Sequence, residues 1–221
     1  TRSGNDRRLT GRLVLPSVFW SWQSDCPARE NRDLIKSALV KALEAISVEV
    51  DEAERPSLDH DTQGVPGSPD IVATIFSKIE SAGVFVADIT PVAVTANGKH
   101  LPNPNVLIEL GYAKHALGAE RVIQIWNTAV TNPRIEDLPF DLRHRRAPIS
   151  YSLVAGASKA DLRLEREALT RTLEAAIRAC LLTIPSKSAA KLDWSLHHVD
   201  SPSIWRDADE PLVVNTRFDE P

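Results

Sequence analysis

Val84-Phe85-Val86-Ala87-Asp88, then a loop holding Thr90, Asn97 and Gly98, then Pro102-Asn103-Pro104-Asn105-Val106-Leu107-Ile108-Glu109-Leu110-Gly111-Tyr112-Ala113: this passage decides the fold. The first block is a short apolar run ending in an acid, and it reads as a strand. The second opens with asparagines and prolines that suit a helix start, and Asn103 or Asn105 is the expected cap. Val106, Leu110, Ala113 and Leu117 then form one stripe at helical spacing, directed at a sheet, and Gly118 is a fitting stop. Asn105, Glu109 and Tyr112 form the neighbouring stripe, at the border where a helix face meets a cleft.

Outward from this passage, strand-like and helix-like runs alternate, which predicts a parallel sheet with crossover helices. Leu13 to Trp20 reads as the first strand, and Ala28 to Ile46 as a helix with Ile35, Leu39, Ala42, Leu43 and Ile46 inward. Ser47 to Val50 is the expected second strand, followed by a long loop from Asp51 to Gly67. Ser68-Pro69-Asp70 signals the next helix: a capping hydroxyl, proline at the first helical position and an acid at the positive end. That helix carries Ile71, Ile75, Phe76 and Ile79 and ends before Gly83, ahead of a third strand from Val84 to Ile89. Arg121 to Trp126 and Ala147 to Tyr151 read as the fourth and fifth strands, and Lys159 to Leu182 as the last amphipathic helix. The expectation is an α/β, flavodoxin-like three-layer fold, with a five-stranded parallel sheet and helices on both faces. Its bounds are residues 13–184, after a flexible N-terminal end over 1–12. Residues 185–221, with four prolines, Trp194 and Trp205, are expected to be an irregular extension that partly docks.

Bulk properties narrow the classes of function. With 43% hydrophobic and 25% charged residues in 221, the chain has the composition of a soluble globular protein of one domain. A net charge of -4 offers no general attraction to nucleic acid or anionic membrane, so neither is expected as a partner. No apolar run approaches the roughly 20 residues that span a bilayer. The polar start, Thr1 to Arg8, lacks the centre of a secretion signal, and Cys26 and Cys180 stand far apart; a cytoplasmic address is expected. The chain holds no methionine, so its first residues carry no functional weight.

Glu109 is the candidate catalytic group. A carboxylate one turn into a helix, ringed by apolar residues, is costly to bury without a purpose. Its place after the third strand sets it near the carboxyl ends of the strands, where open α/β sheets keep their ligands.

Three blocks resemble a known family. Phe19-Trp20-Ser21-Trp22-Gln23-Ser24-Asp25 is similar to the aromatic-serine-aromatic strand end, followed by an acid, of Toll/interleukin receptor (TIR) domains. Asp59-His60-Asp61-Thr62-Gln63-Gly64-Val65-Pro66-Gly67-Ser68 resembles that family's long loop after the second strand, with its proline-glycine pair. Asn105 to Tyr112 resembles the glutamate-bearing helix of bacterial TIR-like proteins, and more distantly that of nucleoside deoxyribosyltransferases. The resemblance spans about residues 13 to 183. It implies cleavage of the bond between nicotinamide and ribose in NAD+, as substrate with no further cofactor required, by an antiviral defence effector activated by assembly with itself or with a partner sensor protein. Two other readings stay open: a transferase acting on nucleosides or nucleotides through a covalent Glu109 intermediate, and a non-catalytic scaffold or nucleotide-binding sensor.

The chemistry gives these residues roles. Nicotinamide in NAD+ is a cationic leaving group that departs without a general acid, so the barrier is positive charge developing on the ribose. A fixed, ionised carboxylate in a dry cleft stabilises that charge or orients the ribose hydroxyls. Asn105 is then a candidate for a ribose hydroxyl and Tyr112 for flanking the sugar. Trp20 or Trp22 can stack on nicotinamide or adenine, or pack in the core. Ser21, Ser24 and Asp25 sit at the mouth, with ordering the next loop as a rival role for Asp25. Asp61 and Thr62 in the long loop, and Asp88 at its strand end, complete the candidate binding set. Arg143, Arg145 and Arg146 either grip a pyrophosphate or pair with Glu136, Asp137 and Asp141 upstream. Asp59-His60-Asp61 and His197-His198 lack further ligands at metal spacing, and no metal is expected.

Overall fold

The computed structural model describes residues 17–48, 55–61, 70–143 and 147–184. In chain order the elements are β1 (Ser17–Ser21), α1 (Arg32–Ser47), β2 (Ser57–Asp59), α2 (Ile71–Ser81), β3 (Val84–Asp88), β4 (Pro91–Val94), β5 (His100–Pro102), α3 (Pro104–Leu117), β6 (Val122–Asn127), α4 (Phe140–Arg143), β7 (Ile149–Tyr151) and α5 (Lys159–Leu181). The main sheet runs β2-β1-β3-β6-β7 with every neighbouring pair parallel, and β4 and β5 make a separate antiparallel hairpin. This is the five-stranded flavodoxin-like order, with its switch point between β1 and β3.

Strand alternation sorts the core into two faces. Val18 and Trp20 of β1 join Val84 and Val86 of β3 against Ile35, Leu39 and Ala42 of α1 and Leu169, Leu173 and Ile177 of α5. Phe19, Phe85 and Ala87 face the other way, against Val106, Leu110, Ala113 and Leu117 of α3 and Ile79 of α2. All five residues of β3 are buried, as a central parallel strand requires. Asn103 caps α3: its side-chain oxygen accepts from the amides of Asn105 at 2.8 Å and Val106 at 3.4 Å. Pro104 sits at the first helical position, and Gly118 stops the helix at φ 82°, a conformation that favours glycine.

Several boundaries differ from the sequence expectation. The second strand is Ser57–Asp59, within the segment read as loop, while Ser47 closes α1. Ile46 continues the apolar stripe of α1 and Val48 keeps a helical backbone, so helix packing there overrides the β-branched preference of Val48; Glu49 and Val50 lie outside the described residues. β2 was hidden because an edge strand with only Leu58 packed against the core carries little pattern. Helix α1 begins at Arg32 rather than Ala28, since the chain first makes a turn closed by the Asn31 amide on the Pro27 carbonyl at 3.1 Å. Asp70 caps α2 by accepting from the Ala73 amide at 3.0 Å. Ser68 and Pro69, expected to fill the cap and first position, lie outside the described residues, as do 1–12 and the extension over 185–221. The hairpin β4–β5 occupies the loop that leads to Glu109. No helix among the described residues is long and apolar enough to cross a membrane.

Candidate active site

Because β1 alternates, Ser21 at its carboxyl end faces the α3 side, opposite to Trp20. Glu109 lies in the second turn of α3, one step around the helix from the buried stripe. The two side chains meet: Ser21 Oγ donates to Glu109 Oε2 at 2.5 Å. No described basic side chain pairs with Glu109, and its second oxygen has no described hydrogen-bond partner. Burial pushes the Glu109 carboxyl above its usual range, the Ser21 hydroxyl pulls it back, and the negative charge of Asp61 raises it again.

Asp61 therefore belongs to the same cluster. It lies two residues past β2 and holds φ 52°, a left-handed turn that aspartate tolerates better than most residues. Its carboxylate accepts from Trp22 Nε1 at 3.0 Å and lies 3.1 Å from His60 Nδ1. Trp22 is half-buried, and the Arg32 guanidinium lies 5.3 Å from its ring centroid. Asn105 stands exposed one turn ahead of Glu109, with its side-chain amide unbonded among the described residues. Ser21, Trp22, Asp61 and Glu109 are thus brought together at the carboxyl end of β1, and Asn105 borders them.

Other expected contacts lie elsewhere. Trp20 is only 1% exposed, packed beneath Trp22 at 6.3 Å and edge-on to His60 at 6.0 Å, so it is core and offers no face to a ligand. Tyr112 turns to α2: its ring stacks on Phe76 at 4.2 Å and its hydroxyl donates to Glu80. Three residues after Glu109, it lies on the helix face that meets α2. Asp25 accepts from Asn103 Nδ2 at 2.5 Å and so fastens the loop after β1 to the cap of α3. Ser24 is exposed at the mouth, and Thr62 lies outside the described residues. Arg143 packs over Phe140 at 5.2 Å; Arg145 and Arg146 lie outside the described residues, and Asp137 is taken by Arg134 at 3.0 Å. Asp59 pairs with Lys78 at 2.7 Å. Among the described residues no three of histidine, cysteine, aspartate and glutamate gather as a metal site would require.

Asp88 is fully buried beneath the cluster. One carboxylate oxygen accepts from the Thr90 amide at 3.0 Å, and the other has no described partner. Burial pushes its pKa up to about 6 against the hydrogen bonds from Thr90. Thr90 Oγ1 accepts from the Asn127 amide at 2.9 Å and from Asn31 Nδ2 at 3.3 Å, and Gln23 donates to the Thr90 carbonyl at 3.1 Å. Asn127 ties on to Leu153, donating to its carbonyl at 2.8 Å and accepting from its amide at 3.0 Å. The sequence assigns no role to Gln23, Asn31 or Asn127, and Thr90 enters there only as a loop residue. Their signal was there: each is a polar residue just past the apolar run of a strand or just before a helix.

Two surface hollows lie away from Glu109, one between α1 and β2 beside Leu43 and Leu58, the other beside Leu153 and Asp161. No model of a known protein family matches the chain, and no curated protein matches it.

Proposed function

We propose that this protein cleaves the N-glycosidic bond between nicotinamide and ribose in NAD+ or a related dinucleotide, with Glu109 stabilising the positive charge that forms on the sugar. The observation that carries this reading is the Glu109 carboxylate itself. It is half-buried at the carboxyl end of the sheet, held by Ser21 at 2.5 Å, and meets no described cation. A structural acid at such a depth is normally neutralised by a partner. Here Ser21 fixes one oxygen, and in this reading the other serves the sugar.

The resemblance of the strand end, the long loop and the glutamate helix to NAD+-cleaving TIR-like proteins supports the same chemistry. Nicotinamide leaves as a neutral base once the bond breaks, and water then takes the anomeric carbon. A carboxylate held by a neutral hydroxyl keeps its charge for the sugar cation, whereas an arginine partner would already have spent it. Ser21 fixes the orientation of Glu109, and Asn105, exposed one turn toward the helix start, is the residue this reading assigns to a ribose hydroxyl. In this reading the active form is an assembly, as in the relatives the three blocks resemble.

The test is nicotinamide release from NAD+ by the full chain, at protein concentrations that permit self-association, beside Glu109→Gln. The glutamine variant should lose activity by about 100-fold or more, the scale seen when one electrostatic stabiliser of a transition state is removed. Equal rates for the two proteins would overturn the proposal. Exchange of labelled nicotinamide into NAD+, with a sugar trapped on Glu109, would instead favour the transferase reading.

A further inference from the structure

Arg32 opens α1 beside the cluster, and its surroundings fix it in an unusual way. Its guanidinium lies over the Trp22 ring at 5.3 Å from the centroid, while Trp22 is itself held by Asp61 through Nε1 at 3.0 Å. Only Nε of Arg32 has a described partner, Asp33 Oδ1 at 3.2 Å, and that aspartate is largely exposed. The two terminal nitrogens have no described acceptor, and the side chain is 38% exposed. An arginine lying on an indole has already lost much of its rotamer freedom, so little more is lost when it takes a bidentate anion.

The charge of the rim poses the problem that such an arginine solves. Asp25, Asp61 and Glu109 lie around the end of β1, and Arg29 nearby is turned to the buried Glu30 at 3.4 Å. A dinucleotide must bring a doubly charged pyrophosphate to this acidic rim, one sugar's width from the ribose carbon that Glu109 serves. Without a cation the carboxylates would repel it. The contacts run in the right order: Ser21 holds Glu109, Asp61 holds the next residue, Trp22, and Trp22 carries Arg32.

We infer that Arg32, pinned on Trp22, is the pyrophosphate-binding residue of this site and makes it select dinucleotides over nucleosides. The inference rests on reading Glu109 as the ribose-facing carboxylate. It also assigns Trp22: one face of its indole is taken by Arg32, so the ring serves to aim a cation rather than to offer that face to a base.

The experiment compares NAD+ with nicotinamide riboside, which carries the same scissile bond and no phosphate, in wild type, Arg32→Ala and Arg32→Lys. For NAD+, Arg32→Ala should raise KM about tenfold or more with kcat little changed, as expected for losing a charge-assisted bidentate contact, and lysine should restore part of it. For nicotinamide riboside, KM should not move. An unchanged KM for NAD+, or an equal loss on both substrates, would overturn the inference while leaving Glu109 in place. If wild type cleaves neither substrate, the reading of Glu109 fails first, and binding of ADP-ribose by calorimetry still judges Arg32. Binding weakened about tenfold in Arg32→Ala supports the pyrophosphate role; equal binding, or none to wild type, overturns it. Thermal melts that coincide with wild type exclude a folding defect in the variants.

Discussion

Glu109 must be ionised to stabilise a sugar cation, and two neighbours set that charge in opposite directions. Burial holds its pKa above the ordinary carboxylate value, the Ser21 hydroxyl lowers it and Asp61 raises it. Activity should therefore rise with pH along an acidic limb displaced above the usual carboxylate range. Ser21→Ala removes the donor that favours the charged form, so the limb should move to higher pH and the plateau should fall as the carboxylate loses its anchor. Asp61→Asn removes a negative neighbour, so the limb should move to lower pH. Profiles of nicotinamide release against pH for the three proteins check both signs, and limbs that coincide would mean Glu109 is not the titrating group. Glu109 was legible from sequence because an acid interrupts an apolar helix, and Ser21 because it ends an apolar strand. Spacing gives a side chain's direction but not its depth, so it left Trp20 open between core and ligand and did not reveal that Asp88 is fully buried; Tyr112 turns to α2, where Phe76 and Glu80 take it. Trp20 and Trp22 point to the same side of β1, yet one is core and the other is half-buried at the rim.

Helix α3 presents the cluster while remaining poorly amphipathic. Its inner stripe is buried, but its outer face carries Ile108, 60% exposed, and Gly111, where an added Cβ would meet nothing within 4 Å. Glycine inside a helix costs about 1 kcal/mol relative to alanine, chiefly through backbone entropy. Gly111→Ala should therefore raise stability by about 0.5–1 kcal/mol, read as a higher urea midpoint with an unchanged slope. A drop would mean that something approaches this face closely in solution. At the cap, Asn103 both closes the helix and donates to Asp25. Asn103→Ala should cost about 1 kcal/mol and also loosen the loop after β1, so KM for NAD+ should rise along with the loss of stability. The strands β1, β3 and β6 and the helices α1, α3 and α5 could be read from the sequence because each buries a full stripe or run. The strand β2 and the hairpin β4–β5 could not, because short edge pieces with one or two inward residues hardly differ from loop.

At the scale of the whole molecule, the buried polar network around Asp88 and Thr90 joins segments distant in sequence. It links the loop after β1, the start of α1, the ends of β3 and β6 and the turn before α5 through Gln23, Asn31, Thr90, Asn127 and Leu153. These bonds fix the rim on which Ser21 and Trp22 stand, while the acid at their centre is a liability. The Asp88 pKa is pushed from an ordinary 3.8 up to about 6, so in the folded protein it keeps its proton over a range where the unfolded chain has lost it. The folded state then binds more protons than the unfolded one, and the derivative of unfolding free energy with pH is negative. Stability attributable to this group should be greatest below the unfolded value and fall until pH passes about 6, for a total of about 3 kcal/mol from the size of the shift. Asn cannot ionise, so Asp88→Asn lacks this dependence, although its amide nitrogen pays a constant desolvation cost where the second oxygen had no described partner. Urea denaturation of both proteins from pH 4 to 8 separates the two effects. The variant's stability relative to wild type should climb by about 2 kcal/mol between pH 4 and 7 and then level off, whatever its value at pH 4. Two curves that run parallel across that range would show that Asp88 is charged throughout, and that the rim is held by an ionised acid whose second oxygen finds a partner in solution.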